Sequence, residues 1–235
     1  MKPLTALSKI CLILLSCIGL AACERQQLTV SGHLEDCNEN YLFLDEITPD
    51  GINILDTILI MGGDFKYPIK KKEESLYRLR LNDTNFISFM GKRGDKVEIS
   101  GNAQDLAHTY QISGNEASKV LREVSQRVDI MYQITDSLSK LFQQAQTNGY
   151  SDSIIRTLDS CYNTHFQSCK SYLQQTIENH FGQLVTLPLF YQKVGWRRFF
   201  TEENDHALWV EMIRHLQETQ PESPHVKALQ QYLEP

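Results

Sequence analysis

The chain has 235 residues, a formal net charge of −6 and 41% hydrophobic content, enough for an ordinary core in one large domain or two small ones. A mildly acidic balance with no long basic block argues against nucleic acid as a partner. Six cysteines without a single Cys-x-x-Cys argue against dithiol redox chemistry and match no standard zinc spacing.

Lys2 and Lys9 precede an apolar run from Ile10 to Leu20, which ends in Leu20-Ala21-Ala22-Cys23. A positive start, a short apolar segment and small residues before a cut read as a secretory signal. The run is well short of the roughly 20 residues that cross a bilayer as a helix. Leu20–Cys23 resembles the lipobox of bacterial lipoproteins. That resemblance implies loss of residues 1–22, acylation of Cys23, and attachment through the lipid to a cell-envelope membrane, the outer membrane being the expected one. Cys23 then serves as a tether and not as a catalytic thiol. Loss of Lys2 and Lys9 moves the formal charge from −6 to −8, which leaves the lipid as the expected attachment at an anionic surface. Cys11 and Cys17 depart with the signal. Cys37, Cys161 and Cys169 remain, an odd number for an oxidising compartment.

After a short tether (23–26), residues 27–114 read as an antiparallel β-sandwich-like domain. Leu28–Val30, Tyr41–Leu44, Ile52–Ile60, Phe65–Ile69, Leu76–Leu81, Phe86–Met90, Lys96–Ser100 and Thr109–Ile112 form eight short segments separated by Gly, Asn and Asp. Leu76-Tyr77-Arg78-Leu79-Arg80-Leu81 shows the period-two alternation of a half-buried strand. From Gly114 the period changes, and residues 115–235 read as an α-helical domain. Ala117, Leu121, Val124, Val128, Met131, Thr135, Leu138, Phe142 and Ala145 form a heptad-like stripe, with Arg127 expected to face solvent. Asn148-Gly149 stops that helix, and Ser151 is placed to cap the next. There Ile155, Leu158, Tyr162, His165, Cys169, Tyr172 and Thr176 repeat the spacing, so the two helices form an antiparallel hairpin. A segment interrupted by Pro188 follows. Thr201 then reads as the cap of a fourth helix through Leu208, Trp209, Met212, Ile213 and Leu216, and Ser223-Pro224 starts a last one through Val226, Leu229 and Leu233. The fold class is α+β in two segments.

Val30-Ser31-Gly32, Leu55-Asp56-Thr57, Gly63-Asp64-Phe65, Gly94-Asp95-Lys96-Val97 and Ser113-Gly114-Asn115 are similar to a domain of unknown function that precedes the thioredoxin fold in envelope TlpA-type thiol-disulfide oxidoreductases. Glu222–Leu229 resembles the end of the helical segment before that redox domain. The resemblance implies a β-domain followed by helices. It carries over no oxidoreductase activity, because the sequence has no dithiol motif.

Other clusters have structural explanations. Cys161, His165 and Cys169 recur at intervals of four on a predicted helix, with His180 or Asp159 as further donors for a metal. Cysteine facing a partner helix serves equally well as a small apolar residue. Arg93-Gly94-Asp95 matches an adhesion tripeptide but sits where a hairpin turn wants Gly and Asp. Lys66, Lys70, Lys71 and Lys72 read as a solvated strand end. Trp196-Arg197-Arg198-Phe199-Phe200 suits either an interface or a loop whose rings close the helical bundle. The expectation is a lipid-anchored, non-enzymatic binding or scaffolding protein without a cofactor, working with an envelope protein partner. Its alternatives are an accessory to a redox domain supplied in trans, or a small-ligand or glycan-binding module with an aromatic-lined pocket in the β-domain.

Overall fold

The structure, a computed structural model, describes residues 27–147, 149 and 152–230. The signal segment 1–22, Cys23, the cap at Ser151 and Leu233 lie outside the described residues.

Eight strands form where the alternation places them: β1 (Leu28–Glu35), β2 (Tyr41–Thr48), β3 (Gly51–Leu59), β4 (Asp64–Ile69), β5 (Ser75–Arg80), β6 (Phe86–Gly91), β7 (Lys96–Asn102) and β8 (Gln111–Ser113). They make two four-stranded sheets, ordered β4-β1-β7-β8 and β3-β2-β5-β6. Every second side chain points between the sheets, so Leu28, Val30, Leu42, Leu44, Tyr77, Leu79, Ile87, Phe89, Val97 and Ile99 form one buried cluster. The pairing departs from the antiparallel expectation at one place. β1 and β7 run parallel, with Thr29 opposite Lys96 and Glu35 opposite Asn102. No hairpin joins these strands, so local turn chemistry does not set their direction. A 3-10 turn at Ala103–Asp105 and a short helix α1 (Leu106–Thr109) occupy the ground before β8, so the last strand starts later than Thr109. Asn102 starts the turn by accepting the Gln104 N–H at 2.9 Å.

Several residues quoted for the family resemblance are the joints of this sandwich. β7 runs so close to Gly32 that a Cβ there would collide with the Ile99 carbonyl. Gly114 has φ +84 and lies against the Lys96 carbonyl, a position no side chain fits. Asp95 of the Arg-Gly-Asp tripeptide accepts the Lys92 N–H at 3.0 Å and Asn115 Nδ2 at 2.7 Å, tying the turn to the helical segment.

That segment contains α2 (Glu116–Thr147), α3 (Asp152–Asn179), α4 (Thr186–Phe190), α5 (His206–Thr219) and α6 (Pro224–Leu229), with a two-strand ribbon of β9 (Lys193–Val194) and β10 (Arg197–Arg198). α2 begins on the outer face of the second sheet. Ser118 Oγ donates to the Met90 carbonyl at 2.7 Å and accepts the Met90 N–H at 2.9 Å, closing the outer edge of β6. The other edge, β3, pairs with β2 alone and leaves Ile52, Ile54 and Leu59 exposed. A second buried cluster fills the helical segment and takes in Met90 from the sheet. None of the described helices is long and apolar enough to cross a membrane.

The stripe on α2 is buried as expected at Ala117, Leu121, Val124 and Met131. Arg127 is not solvent-facing. It is half-buried, its guanidinium lies 5.7 Å from the Tyr172 ring, and it reaches Ser168 Oγ at 3.4 Å. On α3 the buried series is Phe166, Cys169, Leu173 and Ile177. His165 is exposed and Phe166 takes the inward place, stacking on Phe199 at 4.8 Å. Positions three and four apart share a helix face, and the apolar ring gains more from burial than the imidazole. Thr201 caps a single turn ahead of α5, accepting the Asn204 N–H at 3.1 Å while Asp205 Oδ2 accepts the Thr201 N–H at 3.0 Å. Pro224 stands at the start of α6, as its missing N–H favours.

Candidate functional site

An apolar hollow opens between the sandwich and the helices. A cavity of about 550 Å³ has Ile47 and Leu76 of the second sheet as one wall, Leu121 of α2 and Leu187, Pro188 and Tyr191 around α4 as another, and His225 and Leu229 of α6 as the third. A second cavity of about 310 Å³ lies alongside, bounded by Thr84 in the turn before β6, Phe86 of β6, His108 and Tyr110, and Ser125 and Asp129 of α2. Ser88, Leu121 and Gln192 line both, so the two chambers form one cleft, apolar at one end and polar at the other.

The elements place these groups for plain reasons. Ser88 alternates with the core residues Ile87 and Phe89 and so faces outward. Leu121 and Ser125 are one helical turn apart on α2. Burial pushes the Asp129 carboxyl above its ordinary value, with nearby His108 and Arg122 pulling it back. His108 is raised, chiefly by its hydrogen bond to Asp105 at 2.6 Å. Burial lowers His225, a bond to the Ile47 backbone opposes that, and Lys71 adds to it, so the imidazole is neutral at pH 7. Arg122 lies 4.0 Å from the Tyr110 ring and donates to the His108 carbonyl at 2.7 Å, fixing α1 against α2. A neutral imidazole, a desolvated carboxyl and a hydroxyl beside an apolar chamber can bind and orient a ligand.

The candidates read from the sequence fall elsewhere. Cys161 is half-buried, His165 is exposed and Cys169 is buried, so the helix turns them to different surroundings. Among the described residues no group of three or more His, Cys, Asp or Glu converges to hold a metal ion. Cys37, Cys161 and Cys169 are free thiols, and burial raises the pKa of Cys37 and Cys169, which keeps them protonated. The 196–200 stretch divides. Phe199 and Phe200 are buried in the helical core, while Trp196 is 92% exposed at the tip of the β9–β10 ribbon.

Two buried acids were missed in the sequence. Asp45 is fully buried, and its Oδ2 accepts Arg78 Nη2 at 2.6 Å and Arg80 Nε at 2.9 Å, with Arg80 lying 4.6 Å from the Phe43 ring. Glu46, also buried, holds Ser75 and Lys71. The available signal was an Asp-Glu pair inside a strand whose neighbour alternates arginine with apolar residues.

Residues 28–121 match the family described as Domain of unknown function (DUF4369). The matched region ends within α2, just past Ser118, where the helix is hydrogen-bonded to the sheet. No curated protein matches the chain significantly, and neither does any solved structure.

Proposed function

We propose that this chain is a lipid-anchored, non-catalytic binding protein of the cell envelope, and that the cleft between its sandwich and its helices takes an amphipathic small ligand. The apolar body of that ligand lies against Leu76, Leu121, Leu187 and Leu229, and its hydrogen-bonding head points toward Asp129, Ser125 and His108. One observation carries the reading: the two chambers share Ser88, Leu121 and Gln192, so apolar and polar linings meet in a single space of ligand size. This departs from a glycan module, since the larger chamber is lined mainly by aliphatic side chains and lies outside the β-core. The anchor rests on the Lys2-to-Cys23 pattern. A place beside envelope thiol-redox machinery rests on the likeness of the β-domain joints to the TlpA-type proteins.

The test is titration with N-phenyl-1-naphthylamine, an uncharged apolar fluorophore. Saturable enhancement is expected, and Ser88→Trp, which puts an indole where the chambers meet, should abolish it while leaving the melting temperature within a few degrees. No saturable signal, or a signal unchanged in a folded Ser88→Trp variant, overturns the cleft assignment.

A further inference from the structure

We propose that the end of the sandwich where β1 begins is a contact surface for the anionic phospholipid headgroups of the membrane that holds the chain; this rests on the lipidation of Cys23. The strand register brings the relevant pieces together. Leu28 is opposite Ile69, Thr29 is opposite Lys96, and the Thr29 N–H donates to the Asp95 carbonyl at 2.9 Å. The start of β1, the segment after β4 and the turn before β7 therefore share one end. Lys70 and Lys72 follow β4, and Lys92 and Lys96 flank the turn. All four are exposed, and none has a carboxylate partner among the described residues.

The acids at this end are mostly committed. Asp95 holds Asn115 and the Lys92 N–H, Glu46 holds Lys71, Glu74 accepts Gln220 Nε2 at 3.0 Å, and Glu116 pairs with Lys119 at 2.6 Å. Asp50 and Glu73 are exposed, and Asp95 and Glu74 keep their charge because their donors are neutral, so four carboxylates stand against Lys70, Lys72, Lys92, Lys96 and Arg93 of the same turn. A chain whose formal charge falls to −8 without its signal segment thus carries a slight positive excess at the end where its tether enters, and there the lysines are the exposed members while Asp95 and Glu74 are turned to hydrogen-bond donors of the fold.

Covalent geometry sets the distance. Leu28 is five steps along the chain from Cys23, at most about 18 Å when extended, so an acylated Cys23 keeps this end beside the headgroups. Each lysine at an anionic surface contributes about 1 kcal/mol, or about fivefold in partitioning. A lipid tether makes such a weak contact intramolecular, and its effect is orientation. With this end on the membrane, α2 starts at the surface, because Asn115 bonds Asp95 there, and carries the hairpin tip about 48 Å along its axis.

The test separates surface from anchor. The mature chain from residue 23 carrying Cys23→Ser, hence without signal segment or lipid, is mixed with vesicles of phosphatidylcholine alone or with one-third phosphatidylglycerol, and bound protein is measured by sedimentation. Binding to the anionic vesicles only is expected. It should be lost in 1 M salt, where the screening length falls to about 3 Å, and should drop by up to about 600-fold, fivefold for each lysine, when Lys70, Lys72, Lys92 and Lys96 become Gln. Replacing Lys66, Lys140, Arg156 and Lys193 by Gln, the same charge change made elsewhere, should cost less than about fivefold. Absent or composition-independent binding, or equal losses in the two quadruple variants, overturns the contact surface. The anchor is read separately in cells: retention of Cys23→Ser in the membrane fraction after a high-salt wash overturns lipidation and with it this proposal, while release with no vesicle binding overturns the contact surface alone.

Discussion

Along the first half of α2, Ala117, Leu121 and Val124 are buried where the helix meets β6, β8 and α3 together. Along the second half the stripe continues, yet Leu138 is half-covered, Phe142 is 37% exposed and the neighbouring Leu141 is 50% exposed. Only the small Ala145, near the tip, is buried again. The apolar spacing is the same in both halves, but the number of surfaces around them differs. A heptad pattern states which residues share a face; how much that face gains depends on what is packed against it.

The comparison predicts a graded response to charge. Val124→Asp places a carboxylate in a fully buried site without a partner and should cost about 4 kcal/mol or prevent folding. Phe142→Asp, eighteen positions along the same stripe, should cost under about 1 kcal/mol. Chemical denaturation followed by circular dichroism measures both, and equal losses would show that the two halves are equally packed. Ser118→Ala tests what binds the first half to the sheet. It removes both bonds to Met90 and strands a buried N–H and carbonyl, an expected loss of about 2 kcal/mol. A loss below about 0.5 kcal/mol would mean that apolar packing alone joins helix and sheet. The middle of α2 sharpens the gradient: Val128→Asp should cost about 1–2 kcal/mol, Arg127→Asp slightly less through the lost contacts with Tyr172 and Ser168, and Gln126→Asp almost nothing. A silent Arg127→Asp would return that residue to solvent.

Much of the architecture was legible because it is written in local periods. The strands from β1 to β7 show alternation with Gly and Asp between them, and the change at Gly114 marks the passage from sheet to helix. Three features were not legible, for a shared reason. The parallel pairing of β1 with β7 joins strands with no turn between them. The choice of Phe166 over His165 depends on Phe199, which arrives from the far side of the helical core. The cleft takes its walls from β2, β5, β6, α1, α2, α4 and α6, and no single window of sequence shows a site assembled from seven places. The clusters that stood out in the sequence, the Cys161-His165-Cys169 series and the Arg-Gly-Asp tripeptide, stood out because they are contiguous or periodic. In the structure the first is split between core and solvent and the second holds a turn.

The position of β1 has a consequence for how the chain acquires its shape. It is the first strand among the described residues, yet it lies inside its sheet, with β4 on one side and β7 on the other. On a chain emerging amino end first, β4 can cover one flank of β1 soon after, but the other flank keeps its backbone donors and acceptors unpaired until Lys96–Asn102 has followed. Loop closure over such a separation is slow compared with forming the β5–β6 hairpin or the first turns of α2. The nascent sandwich therefore exposes an open strand flank through most of its emergence, and the parallel closure by β7 is the late step that a holding chaperone would have to outlast.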